Sequence, residues 1–245
     1  NQGRVLDDIE QIHDRIFQGQ PEAEEVAKKL KSLVNESRDL TEASETGAHT
    51  LKDLSSALRT QSRMETQAVD GVDINSVVKE CLVLVGGRTK LFKVKHQAGP
   101  LPPVRCFRSR IGQVITNLVA NGADALMEYR EENPTDAQGK RFQGKICVFT
   151  REIANAGVPG VAISVSDNGG GVPESIRTQI FEEFFTTKPA GQGTGLGLAL
   201  SIKIVQEHGG TLAVDDDPEL GGARFTLWLP QEGASQAASE AEPAV

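Results

Sequence analysis

The sequence predicts an α+β protein in two parts: an N-terminal antiparallel helical hairpin, then a two-layer sandwich of helices against a mostly antiparallel sheet. Three observations point there. Residues 1–66 hold one proline, Pro21, and are rich in Glu, Lys, Ala and Leu, a composition that favours long helices. From Val72 onward the apolar pattern reads helix, strand, helix, strand, strand, helix, strand, strand, which segregates helices from strands as a layered sandwich does. Between Asn117 and Leu200, polar glycine-bearing stretches interrupt that pattern.

In the first part, Val5, Ile9, Ile12 and Ile16 step by four, three and four and draw a narrow apolar seam of the coiled-coil type. The seam stops at the turn residues 17–21. A second helical pattern begins near Pro21, a residue suited to a first helical position, and carries Val26, Leu30, Leu33, Leu40, Leu51, Leu54 and Leu58. Two such helices cannot bury both apolar faces alone, so a second copy of the chain is expected to complete a four-helix bundle. Residues 1–66 form this domain, the short polar stretch 67–71 is the linker, and 72–230 is the second domain.

Within the second domain a helix is predicted over residues 74–85, ended by Gly86 and Gly87. Phe92, Val94 and His96 alternate with Lys93, Lys95 and Gln97, the pattern of a strand with one buried face. Pro100, Pro102 and Pro103 break the chain before 104–106. Residues 108–129 read as an amphipathic helix with Ile111, Val114, Ile115, Leu118, Val119 and Leu126 on its apolar side. The charged stretch 130–143 reads as an exposed insertion. Strands follow at 145–152 and 161–166, then an apolar helical run to His208, then strands at 210–214 and 223–229 around a turn. The tail 231–245, mostly Ala, Ser and Glu, reads as disorder or a linker.

Bulk properties narrow the function. A net charge of -8 over 245 residues and a pI near 5.1 exclude a general binder of nucleic acid or anionic membrane. Cys81, Cys106 and Cys147 are far apart and lack metal-ligand spacing, as expected of buried thiols in a reducing compartment. No apolar run approaches the ~20 residues of a membrane span, and no signal peptide is visible. The segment is therefore expected to be cytoplasmic and, starting at Asn1 rather than Met, is expected to be an excerpt of something longer.

The chemistry concentrates in three stretches, 117–126, 167–173 and 180–200. Asn117 and Asn121 are four apart, so they share one helix face. An amide carbonyl there can ligate a phosphate-bound divalent ion without repelling the phosphates. Asp167 ends a strand before three glycines; its carboxylate accepts hydrogen bonds and donates none, which suits the exocyclic amine of adenine. From Gly193 to Leu198, glycine alternates with Thr or Leu before a helix. Glycine lets the backbone approach a phosphate, and the first helical amides then face the anion. The spacing fits neither the Walker loop nor the dinucleotide fingerprint. Residues 180–192 read as a hinge and flap that close over a polyphosphate.

Taken in order, the three stretches resemble the N box, the first glycine box, and the F and second glycine boxes of bacterial sensor histidine kinases, members of the GHKL ATPase superfamily. The resemblance covers residues 72–230. It implies a Bergerat-type sandwich, ATP and Mg2+ as cofactors, a homodimer, and a response regulator receiver domain as partner. It further implies a histidine autokinase that passes the γ-phosphoryl group from ATP to a His and on to an Asp. By the same resemblance Asn121 is the magnesium ligand, Asn117 a neighbouring polar contact, and Asp124 with Ala125 the Asp-Ala variant found in nitrogen-regulation-type and oxygen-sensor-type kinases. Asp167, Gly169 and Gly171 would hold the base. Thr187, Gly193, Thr194, Gly195, Leu196 and Gly197 would contact phosphates, with Lys188 reaching the γ-phosphate. Gly122 stands where the family has Ala, at a helical cost of roughly 1 kcal/mol. Phe181, Phe184 and Phe185 are expected to anchor the base of the flap in the core.

The phosphoacceptor stays open. His13 followed by Asp14 offers an imidazole beside a carboxylate, although Ile16 and Phe17 stand where the family has a polar residue or Pro. A rival is a His upstream of Asn1, and a third option is another acceptor. His49, His96 and His208 fit less well; His208 lies near a helix C-terminus, which favours a cation. The alternative function is a GHKL-type ATP-binding switch or scaffold with no phosphohistidine chemistry.

Overall fold

The computed structural model describes residues 28–29, 31–37, 67–135, 139–188 and 193–233. The chain divides into two compact units, residues 1–55 with 188–193, and residues 56–187 with 194–245. In the first, residues 28–29 and 31–37 are helical. The rest of the predicted hairpin, including the seam and the His13–Asp14 pair, lies outside the described residues.

The second unit runs β1 (Val69–Val72), α1 (Ile74–Leu84), α2 (Gly86–Thr89), β2 (Lys93–Ala98), β3 (Val104–Cys106), α3 (Arg108–Glu132), β4 (Lys145–Glu152), β5 (Gly160–Asp167), two 3-10 turns, α4 (Gly197–Glu207), β6 (Thr211–Asp216) and β7 (Ala223–Pro230). Five strands form one sheet in the order β2-β4-β5-β7-β6. All neighbours pair antiparallel except β2 and β4, which are parallel. The chain between those two passes through α3, a crossover that returns it in the same direction.

α3 organises the unit because its apolar stripe is the centre of the core. Ile111, Val114, Ile115, Leu118, Val119 and Leu126 are all buried, each contributing about 1.5–3 kcal/mol by leaving water. α1 and α4 pack beside α3, which in turn lies on β4 and β5. β5 is buried along its whole length, whereas β4 alternates, with Ile146, Val148 and Thr150 inward and Lys145, Phe149 and Arg151 outward. α1 starts where Asp73 accepts hydrogen bonds from Asn75 N–H at 2.9 Å and the Ser76 hydroxyl at 2.6 Å, an N-cap.

Four features differ from expectation. The stretch assigned to a linker, 67–71, contributes to β1, which pairs antiparallel with β3 in a separate two-stranded sheet. Gly86 and Gly87 do not end the helical path but open the short α2. α3 continues to Glu132, past the predicted end at Tyr129. Gln231 is tied in, its N–H donating to Pro159 O and its carbonyl accepting from Arg105 N–H, each at 3.0 Å.

His208 differs as well. It is 1% exposed, and Phe107 N–H donates to its Nε2 at 3.1 Å while its Nδ1 lies 2.7 Å from Ile204 O. A nitrogen that accepts a backbone N–H carries no proton, so Nδ1 is the donor and the ring is neutral. His208 therefore staples the end of α4 to the start of α3, and the cation expected at that helix terminus is absent.

Candidate functional site

The site is built on α3, which meets the end of β5 on one side and the first turn of α4 on another. Asp167, the last residue of β5, is 4% exposed. Its Oδ1 accepts from Gly169 N–H at 2.8 Å, closing an Asx turn that sets the three glycines. Burial pushes its carboxyl above the usual carboxylate range, opposed by hydrogen bonds from the Gly169 and Ala223 amides and helped by the charge of Asp217. Asn168 fastens the same turn to β4, accepting from Lys145 N–H at 2.6 Å and donating to Gln143 O at 3.1 Å.

Across from Asp167 stands Gly122. A Cβ there would lie 3.7 Å from Asp167 Oδ2, ordinary contact, so an alanine would also fit and this approach does not require glycine. Through this approach the residue that follows Asn121 on α3 meets the carboxylate. Ala125 contributes its carbonyl, 3.6 Å from where a Cβ on Gly169 would sit. Asp124 turns toward α2, where Arg88 Nη2 donates to its Oδ2 at 3.5 Å. Gly171 lies against Asp216 of β6 and Gly222.

The two asparagines are used differently. Asn117 Nδ2 donates to Ser201 Oγ at 3.0 Å, and Ser201 Oγ donates to Gly197 O at 2.9 Å. A Cβ on Gly197 would come within 2.6 Å of Asn117 Oδ1, so glycine at the head of α4 lets the two helices close. Asn117 therefore fixes α4 to α3. Asn121, one turn further on, is half-buried and carries an amide oxygen, the donor type that suits a hard divalent cation.

Beyond the glycine turn, Phe181 and Phe185 pack against the core as expected. Phe184 does not. It is 71% exposed and adopts φ +67°, because its N–H donates to Gly195 O at 3.1 Å and turns the side chain outward. Gly195 itself has φ +65°, and a Cβ on it would collide with the Phe184 backbone. Thr194 Oγ1 accepts from Leu196 N–H at 3.5 Å, and Leu196 caps α4. Thr187 is exposed. Lys188 and Gly193 belong to the first unit.

Sequence reasoning passed over three residues. Ser201 is a polar residue on the buried side of α4, four after Gly197, and that placement was the available signal. Asp217 and Gly222 frame the β6–β7 turn, and an aspartate in Asp-Asp-Asp-Pro reads as any turn residue. Asp217 is buried. Burial alone would raise its carboxyl, but hydrogen bonds from Leu220 N–H, Ser166, Arg224 and Glu219 N–H outweigh that and bring it to about 2.

Residues 107–233 match the model of the histidine kinase-, DNA gyrase B-, and HSP90-like ATPase family. The nitrogen regulation protein NtrY of Azorhizobium caulinodans is 34% identical over 174 residues, covering 70% of this chain and 21% of that protein. The sensor histidine kinase ZraS of Escherichia coli O157:H7 is 36% identical over 166 residues, 66% of this chain and 32% of that protein. The chain thus spans a third or less of the length of these relatives. The solved catalytic domain of the histidine kinase ThkA is 28% identical with a TM-score of 0.52, covering 68% of this chain and 97% of that domain.

Proposed function

The chain belongs to the histidine kinase-, DNA gyrase B-, and HSP90-like ATPase family, and from that premise we propose that it is the kinase core of a two-component sensor, an ATP-dependent histidine autokinase. The observation that carries this reading is the buried, hydrogen-bonded Asp167 carboxylate set against Gly122, on the helix that also bears Asn117 and Asn121. A family ATPase needs one face for the base and one for the metal-bound phosphates, and α3 supplies a wall to both.

In this reading Asp167 accepts a hydrogen bond from the exocyclic amine of adenine, with the glycine turn closing beside the base. The half-buried Asn121 amide oxygen fits magnesium, and Asn117 keeps α4 in place. Magnesium, when bound, offsets phosphate charge and orients the chain of phosphates. Backbone amides from Gly193 to Gly197, the Thr194 and Thr187 hydroxyls, and the Asp124 side of the helix border the phosphates, with Lys188 as a point charge for the γ-phosphate. The phosphoryl acceptor is a bundle histidine, His13 with Asp14 beside it or a His upstream of Asn1. The bundle forms through residues 1–66 of two copies, and a receiver-domain aspartate is the next acceptor. The division between a bundle of residues 1–66 and an ATP-binding domain belongs to the same proposal; of the expected linker 67–71 and tail 231–245, Val69 to Gly71 lie in β1 and Gln231 is hydrogen-bonded to Pro159 and Arg105.

The test is to incubate the full chain with γ-labelled ATP and measure label retained after acid and after base. Acid-labile, base-stable label supports the autokinase. Absence of such label, in the chain and in a form extended upstream, with ATP still bound, would leave the ATP-driven switch in its place. Unchanged labelling in His13→Gln, made in the form extended upstream, would eliminate His13 as the acceptor.

A further inference from the structure

The base-facing wall is held from behind by a turn to which no role has yet been given. Gly222 lies so close to Asp167 that a Cβ on it would be 2.6 Å from both the Asp167 carbonyl oxygen and Oδ1, and 2.7 Å from Gly169 N. The next residue, Ala223, hydrogen-bonds the Asp167 carboxylate through its backbone. The position of the carboxylate thus depends on where the turn from Asp217 to Gly222 places its last two residues.

Asp217 decides that placement. Its Oδ1 accepts from Glu219 N–H and Leu220 N–H, each at 2.8 Å. Its Oδ2 accepts from Arg224 Nε at 3.0 Å, and Ser166 on β5 adds a side-chain hydrogen bond. Its own N–H donates to Gly222 O at 2.7 Å, and its carbonyl accepts from Gly221 N–H at 2.8 Å. Ser166 and Arg224 face each other in the β5–β7 register, so one buried carboxylate ties both strands and the turn together. A buried carboxylate with this many donors is a rigid fixture, since losing one partner leaves others unsatisfied.

We propose that Asp217 is a positioning residue for base selectivity: it fixes the Gly222–Ala223 backbone against Asp167 and so aims the Asp167 carboxylate at the exocyclic amine of an adenine nucleotide. The inference rests on the adenine reading given above. Asp217 acts through the turn and does not touch the nucleotide. A misplaced Asp167 loses the hydrogen bond to the amine, while contacts to sugar and phosphates persist.

The experiment compares ATP with inosine triphosphate, which carries a carbonyl in place of the amine, by calorimetric titration of the full chain. The wild-type chain is expected to prefer ATP by at least tenfold. Asp217→Asn, which keeps the shape but cannot accept from all of these donors, is expected to reduce that preference to within about threefold, with inosine triphosphate affinity nearly unchanged. Gly222→Ala should reduce it in the same way. A fold defect would instead weaken both nucleotides together, so an equal loss of ATP and inosine triphosphate affinity in Asp217→Asn would overturn the proposal. A wild-type preference retained in both variants would overturn it too. No preference in the wild type would overturn the adenine reading itself, and with it this inference.

Discussion

Asp167 ends β5 and Phe184 lies on the connection from there to α4, and the two are held in opposite ways. Asp167 is 4% exposed and receives backbone amides from two directions. Phe184 is 71% exposed, sits at φ +67°, and meets Gly195 through a backbone hydrogen bond. In the proposed function, the first is a recognition surface completed before any ligand arrives. The other keeps a backbone conformation that L-residues rarely adopt, as a hinge would. Substitutions at the first should act on binding, and those at the second on closure.

The largest effect belongs to Asp167→Asn. Losing the acceptor for the exocyclic amine is expected to weaken ATP binding about a hundredfold, or about 2.7 kcal/mol, as read by titration. Stability should move the other way. Burial raises the folded-state pKa of Asp167, so the stability linked to its protonated form is present below its ordinary value and is lost as pH rises through the folded value. At neutral pH the Asn variant should melt at or above the wild-type temperature, and the gain should vanish on acidification. A variant that loses binding and melts lower at neutral pH would mean that Asp167 is a structural residue.

Gly195→Ala comes next. Forcing a Cβ against the Phe184 backbone at φ +65° should cost about 1–3 kcal/mol in thermal unfolding. It should slow any phosphoryl transfer more than it weakens nucleotide binding. Equal losses in both would erase the distinction between wall and hinge.

Asp73 tests a place remote from both. Asp73→Ala removes the N-cap of α1 and should cost about 0.5–2 kcal/mol with nucleotide affinity unchanged. The Asp73 carboxyl is lowered, chiefly by the Ser76 hydroxyl. Its contribution is therefore present above its ordinary value and is lost as pH falls through the folded one, so the two proteins should converge in stability in acid. The smallest effect is Phe184→Gly, which relieves the left-handed strain while freeing the unfolded chain. Its net change should stay within about 1 kcal/mol.

Much of this was legible in the chain because α3 is long and strongly periodic. All six of its predicted apolar residues are buried, and β4 occupies the predicted residues. What was not legible depends on partners far away in sequence. The neutral state of His208 is set by the Phe107 amide, and Ser201 matters because Asn117 reaches it. Asp217 gains its meaning from Ser166, Arg224 and the Gly222 backbone. Phe184 was misread because three phenylalanines in five residues resemble a core cluster, whereas a single backbone hydrogen bond turns one of them to solvent.

The central claim of the proposed function is that Asp167, at the end of β5, and Asn121, on α3, serve one nucleotide. It is tested by titrating ATP with and without magnesium into the wild type, Asp167→Asn and Asn121→Ala. The account predicts that Asp167→Asn loses affinity in both conditions, while Asn121→Ala keeps the magnesium-free affinity and loses the enhancement by magnesium. An Asn121→Ala chain that still binds tighter with magnesium, or an Asp167→Asn chain that binds like the wild type, would contradict it.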